Sequence, residues 1–161
     1  MRTNDIFRKL VQSLPLTVEQ VQALFAVSDI DLSEKDVANL LKTDYQPGFE
    51  AMPEYILLIF MNNFIDQKRG KKADAQPEII EKHHKVSNND VLKKLRIAFN
   101  LHEQDVRDAL KLATIELTKS DLSALFRKPG HVNYKACDDG LVLDFIEGLG
   151  LFLGQRQAGA N

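Results

Sequence analysis

The chain is written twice. Displaced by 85 residues, positions 4–67 align with 89–152 without a gap, and 13 of the 64 pairs are identical. Average residue usage gives roughly four by chance. Helical periodicity alone would match apolar classes. It would not match Asn4/Asn89, Asp5/Asp90, Lys9/Lys94 and Asp36/Asp121, nor keep Ser33/Thr118, Lys42/Arg127 and Phe49/Tyr134 alike. A duplicated unit must close the same core twice, so each copy checks the element boundaries of the other.

The spacing in each copy predicts four helices. Thr3 or Asn4 caps the first, which buries Ile6, Phe7, Leu10 and Leu14; in the second copy Asn88 or Asn89 caps, and Leu92, Leu95 and Phe99 bury. Thr17 with Gln20 forms a capping-box pattern ahead of Val21, Leu24 and Phe25, and His102 takes the place of Thr17 ahead of Val106, Ala109 and Leu110. Ile30 and Leu32 alternate with polar residues and predict a short extended link. Ser33 and Thr118 cap a third helix, with Asp36 and Asp121 at the reciprocal position. A Pro/Gly loop follows. The fourth helix runs from Glu54 to about Gln67 and from Asp139 to about Leu153, with Pro53 and Asp138 at its start. Gly148 and Gly150 inside it each cost about 1 kcal/mol relative to Ala. Either a close backbone neighbour or an end-of-chain loosening accounts for them.

The expected fold is therefore all-α, a tandem duplication of a four-helix unit with pseudo-two-fold symmetry and a helix-turn-helix-like segment in each copy. The copies span 1–69 and 88–154, joined by a polar linker at 70–87 and followed by a flexible tail at 155–161. The two fourth helices, the most apolar elements, are expected at or near the contact between copies.

Composition narrows the function. With 21 Lys and Arg against 23 Asp and Glu, the net charge of −2 gives no global field for nucleic acid or an anionic membrane. A single cysteine, Cys137, excludes an intrachain disulfide and suits a reducing cytoplasm. The opening MRTNDIFRKLVQSLP has no signal-peptide core, and the longest apolar runs, Tyr55–Phe60 and Leu141–Leu153, fall short of the roughly 20 residues of a membrane span. A cytoplasmic location without membrane contact is expected.

The stretch NNDVLKKLRIAF (88–99), its echo at Asn4-Asp5-Ile6, the Gly48-Phe49 loop and Cys137 ahead of an apolar last helix resemble the YehS-like family of small bacterial cytosolic proteins. The resemblance covers most of residues 3–153. It implies an all-helical domain of unknown function present twice per chain, and it carries over no activity and no catalytic residue. Copy one departs from the motif, with Val11 and Gln12 at the places of Arg96 and Ile97.

Local chemistry supplies the remaining candidates. Residues 68–96 hold nine Lys and Arg against four acids, +5 locally, which leaves −7 for the rest of the chain. Lys93 and Arg96 lie three apart on one helical face and suit phosphates or carboxylates. The third helices, where a helix-turn-helix reads bases, offer little: SEKDVANLLK has Asn39 and Lys35 alone. Cys137 with His131 and Asp138 or Asp139 has the residue types of a thiol catalyst, but Met52 at the equivalent place favours a packed thiol. His83 and His84 are adjacent and point apart on a helix or strand, which excludes a spaced metal pair. Asp138-Asp139 and Asp29-x-Asp31 are helix-start and link residues. The reading that follows is a non-enzymatic interaction protein without cofactor or metal. Its candidate binding residues are Asn4, Asp5, Lys9, Asn89, Asp90, Lys93, Lys94 and Arg96 together with the linker. A protein or acidic peptide is the expected partner, with nucleic acid as the alternative.

Overall fold

The computed structural model describes residues 1–71 and 78–159. Every regular element among them is helical. The chain divides into two compact units, Met1–Val86 and Ser87–Asn161.

The first unit holds α1 (Thr3–Ser13), α2 (Val18–Ala26), α3 (Glu34–Leu40) and α4 (Glu54–Arg69). Its centre is aromatic. Phe7 meets the Phe60 ring edge-on at 5.1 Å between centroids, and Phe25 lies 5.4 Å from Phe60. Such pairs add about 0.5–1.5 kcal/mol each beyond area burial. Leu10, Val21, Leu57 and Met61 close the core around them.

The second unit repeats the order with α5 (Asn88–Ala98), α6 (Glu103–Leu112), α7 (Lys119–Leu125) and α8 (Asp139–Gly159). Phe145 is buried at the place of Phe60, while Leu92, Leu110 and Leu149 stand for Phe7, Phe25 and Phe64. The smaller residues need closer helices. At Gly148 a Cβ would collide with the Ala109 carbonyl and sit 3.3 Å from the Ala113 side chain. Of the two explanations for this glycine, close backbone approach is the one realised. In the first unit the same position is Asn63, whose amide donates to the Leu24 carbonyl at 2.8 Å and the Ser28 hydroxyl at 2.9 Å. Leu24 is the repeat counterpart of Ala109, so one contact is made by an amide bridge and the other by direct approach.

The predicted caps at Thr17/Gln20, Ser33/Asp36 and Thr118/Asp121 form as reciprocal boxes. Those of α1 and α5 do not fall on Asn4 or on Asn88 and Asn89. Ser87 caps α5, exchanging bonds with Asp90 at 2.8 and 3.1 Å, and the Arg2 N–H donates to Asp5 at 2.9 Å. The Asn side chains are engaged elsewhere. His102 keeps half a box, its N–H donating to Asp105 at 2.8 Å.

The links at 30–32 and 115–117 begin as helix stops. Ile30 N–H returns to the Phe25 carbonyl and Ile115 N–H to the Leu110 carbonyl, with Asp29 and Thr114 at φ +60° and +63°. Both are Schellman closures. Neither carries the glycine that usually marks one.

The boundaries also differ from expectation at both polar segments. α8 continues to Gly159, through most of the predicted tail, because Gln155, Arg156, Gln157 and Ala158 are all good helix formers. The far end of the linker joins the first unit. Val86 is buried, its N–H donates to Glu54 at 3.2 Å, Lys85 pairs with Glu54 at 3.3 Å, and Asn62 donates to Glu78 at 3.0 Å. Linker residues 72–77 and tail residues 160–161 lie outside the described residues. No described helix is long and apolar enough to cross a membrane.

Candidate functional site

The strongest polar repeat, Asn-Asp, resolves into two separate jobs. Asn4 is 1% exposed. Its amide nitrogen donates to the carbonyls of Leu40 and Glu50, both at 2.9 Å, and its oxygen accepts the Met52 N–H at 2.8 Å. Asn89 does the same with Leu125 at 3.0 Å, Lys135 at 2.9 Å and the Cys137 N–H at 2.9 Å. Each Asn ties the end of the third helix to the loop that feeds the fourth. Only an amide supplies two donors and an acceptor on so short a stem. This corrects the expectation that Asn4 and Asn89 meet a partner: their hydrogen-bonding groups are spent inside their own units.

Asp5 and Asp90 cap α1 and α5. Asp5 also pairs with Arg8, whose other amino group donates to the Lys42 carbonyl at 3.2 Å. Burial pushes the Asp5 carboxyl up, but the Arg2 N–H and the Arg8 guanidinium outweigh it and hold it below the usual value. Lys9 and Lys94 are half-buried and neither is free. The fixed Asp5 and the buried Asn4 leave little of the predicted binding set open in the first unit.

The second unit is different. Lys93 is exposed on α5. Arg96, three residues on, is half-buried; its Nε donates to the Leu101 carbonyl at 3.1 Å, and its guanidinium lies 4.8 Å from the Phe126 ring centroid. Stacking and one hydrogen bond fix the guanidinium without spending its Nη donors on a carboxylate. Beside it is a hollow of 290 Å³ lined by Arg96, Glu103, Leu122, Ser123, Phe126 and Arg127. A larger hollow of 660 Å³ shares Glu103, Ser123 and Arg127 and adds Lys119, Ser120, Asp121, Ala124 and Asn133.

Sequence reasoning found Arg96 but not Glu103, Lys119 or Arg127. A signal existed. At the places of Arg96, Glu103 and Lys119 the first copy has Val11, Val18 and Glu34, so three positions on this face changed their chemistry while Lys42 and Arg127 stayed basic.

Cys137 is buried and its sulfur lies 3.4 Å from the Asp138 carbonyl oxygen. Burial first, then the Asp138 and Asp139 carboxylates, push the thiol up to about 12, so it stays protonated near neutral pH. Met52 fills the same place in the first unit and is equally buried. His83 and His84 do not point apart as expected. They sit at a turn with ring centroids 4.6 Å apart, where His84 Nδ1 accepts the Glu81 N–H at 2.8 Å. Among the described residues no three His, Cys, Asp or Glu converge as a metal set.

Fold and site together define a class: a tandem helical repeat in which each unit is locked by an asparagine clamp, and in which the second unit carries a charged hollow. The family described as "Protein of unknown function (DUF1456)" matches at residues 3–70 and again at 88–153, and the chain belongs to it. The chain is also 31% identical over 149 residues to the "Uncharacterized protein YehS" of Escherichia coli (strain K12), covering 92% of this chain and 94% of that protein. The two family matches coincide with the two copies read from the 85-residue displacement. No solved structure matches the chain.

Proposed function

We propose that the protein is a non-enzymatic interaction module of the cytoplasm whose second unit binds an acidic partner protein or peptide through Lys93, Lys94 and Arg96. One observation carries the reading: Arg96 is oriented by the Leu101 carbonyl and the Phe126 ring at the edge of a hollow. The first unit offers no counterpart, since Val11 stands at the place of Arg96 and Arg8 is paired with Asp5. The basic linker enters the proposal less than its charge suggests, because Lys85 is already paired with Glu54.

The experiment is recovery of partners from cells by in vivo cross-linking, comparing wild type with a Lys93/Lys94/Arg96→Ala variant of matched helicity. Loss of recovered partner is the expected result. Equal recovery discards this surface.

Nucleic acid is the alternative ligand of the same residues, favoured by the capped α6–α7 pair with Lys119 exposed on α7. Its signature is binding to DNA or RNA that weakens steeply with salt. Anisotropy titration at two salt concentrations separates the two readings, and the acidic-partner reading expects no such salt-dependent complex.

A further inference from the structure

Four residues that line the smaller hollow of the second unit differ from their counterparts in the first. Arg96, Ser123, Phe126 and Arg127 stand where the first unit has Val11, Ala38, Leu41 and Lys42. The last of these changes keeps the charge but frees it. The Lys42 ammonium donates to Asn39 Oδ1 and to the Pro47 carbonyl, both at 2.8 Å. In the second unit Ala124 stands at the place of Asn39 and offers no side-chain acceptor. Arg127 is exposed and has no polar partner among the described residues.

The other changes supply two more donors. Arg96 is held by the Leu101 carbonyl on its Nε and by the Phe126 ring, a support that Leu41 could not give, and its Nη groups remain as donors. Ser123 on α7 is exposed, and its hydroxyl makes no hydrogen bond among the described residues. Two guanidinium groups and a hydroxyl therefore border one small space.

Charge selects this hollow over its larger neighbour. Arg96 and Arg127 against Glu103 sum to +1, whereas the larger one balances Lys119 and Arg127 against Glu103 and Asp121. Glu103 Oε1 is buried and meets no ligand; the charge of Glu103 opposes every anion alike and chooses among none. The donors make the choice. A carboxylate presents two oxygens in one plane, which a single guanidinium fork covers. A phosphomonoester presents three terminal oxygens and about −1.5 to −2 charges near neutral pH, so two forks and a hydroxyl each find an acceptor, and a net positive lining attracts it more than a monoanion. The volume of 290 Å³ lies at the small end of the range for ligand pockets and suits a headgroup. With Arg127 and Ser123 exposed at its rim, that group can enter while still attached to a chain.

Resting on the reading given above, we propose that this hollow seats a phosphorylated side chain of the acidic partner. Arg96 and Arg127 hold the phosphoryl oxygens, and the Ser123 hydroxyl donates to one of them. Lys93, three residues before Arg96 and exposed on α5, takes acidic residues beside the phosphorylated one.

The test uses the full-length protein, fluorescently labelled, on an array of peptides with random flanks around one phosphoserine. A second array carries two glutamates in its place, which matches the charge without the third oxygen. Binding to a subset of phosphopeptides is expected, about tenfold tighter than to their glutamate counterparts, as for one added charge-assisted pair. Arg127→Ala, at an exposed position, is expected to remove that preference, and Ser123→Ala to reduce it. Equal binding of the two arrays, a preference that survives Arg127→Ala, or no bound phosphopeptide each overturns the proposal. Free O-phosphoserine is expected to compete only at far higher concentration than the peptides. If it binds as well as they do, the hollow takes a free phosphate ester and the assignment to a partner side chain falls. Cross-linking in cells separates the proposal from the broader reading. If Lys93/Lys94→Ala loses the partner while Arg127→Ala keeps it, the basic face stands and the phosphoryl site falls. If Lys93/Lys94/Arg96→Ala recovers the partner equally, the broader reading falls and takes this proposal with it.

Discussion

Asn4 and Asn89 show how one side chain fixes a loop. Replacing either with Ala strands two carbonyls and an N–H. Loss of such a set costs about 3 kcal/mol or more where water cannot enter, since each buried unsatisfied group costs about 1–3 kcal/mol. Asn4 is 1% exposed and Asn89 is half-buried, so Asn4→Ala is expected to destabilise more than Asn89→Ala in urea unfolding. Equal effects would mean that burial does not set the cost. Acid acts through the caps. For Asp5, burial raises the carboxyl, but the Arg2 N–H and Arg8 lower it further, so the folded value lies below the usual carboxylate range. For exposed Asp36 and Asp121 the serine and threonine cap bonds do the lowering. A depressed folded value means stability that is full above the unfolded value and lost as pH falls through the folded one. Unfolding of wild type is therefore expected to ease below about pH 4, and Asp5→Asn is expected to flatten that dependence. An unchanged slope in Asp5→Asn contradicts the assignment. The sequence made Asn4 and Asn89 visible as a repeat but not as clamps. Their partners lie 36 to 48 residues away, and local pattern favours the commoner use of Asn as a cap.

Elements were easier to read where their signals are local. Capping boxes at Thr17, Ser33 and Thr118 fell where Ser or Thr precedes Gln or Asp by three residues, because both bonds close within one turn. The Schellman stops just ahead of the links at 30–32 and 115–117 carry no local signal, since Asp29 and Thr114 hold positive φ without the glycine that advertises it. α8 runs past Leu153 to Gly159 because the polar residues of its last turns are good helix formers, and polarity alone does not end a helix. Helix contact gives the sharpest prediction at this scale. Gly148→Ala places a methyl against the Ala109 carbonyl, a backbone atom that cannot turn aside. Overpacking of this kind costs about 1–3 kcal/mol. Asn63→Ala, at the matching site in the first unit, removes a bridge to the Leu24 carbonyl without a clash. Denaturant melts of the two variants are expected to rank Gly148→Ala as the more damaging. A tolerated Gly148→Ala means that α6 and α8 stand further apart than described.

At the scale of the whole molecule, one unit has been used twice and then specialised. The shared parts are those that make the unit close: the buried Phe60 and Phe145, the Asn clamps, and the capped third helices. Beyond the Phe-to-Leu changes of the core, one face is altered, where Arg96, Glu103 and Lys119 replace Val11, Val18 and Glu34, and Arg127 replaces a Lys42 that is bonded internally in the first copy. The duplication was legible because identities at a fixed displacement need no structure to count. The hollow was not, because it depends on Ala124 lacking the amide that Asn39 carries and on packing among elements distant in sequence. The most direct test of the duplication is native-state hydrogen exchange on the intact chain, residue by residue. The slow amides of 3–70 are expected to map onto those of 88–153 under a shift of 85, with the loop amides of Met52 and Cys137 protected as a matched pair by their asparagines. Protection patterns that fail to coincide, or Met52 and Cys137 amides exchanging as fast as open loop, would contradict it.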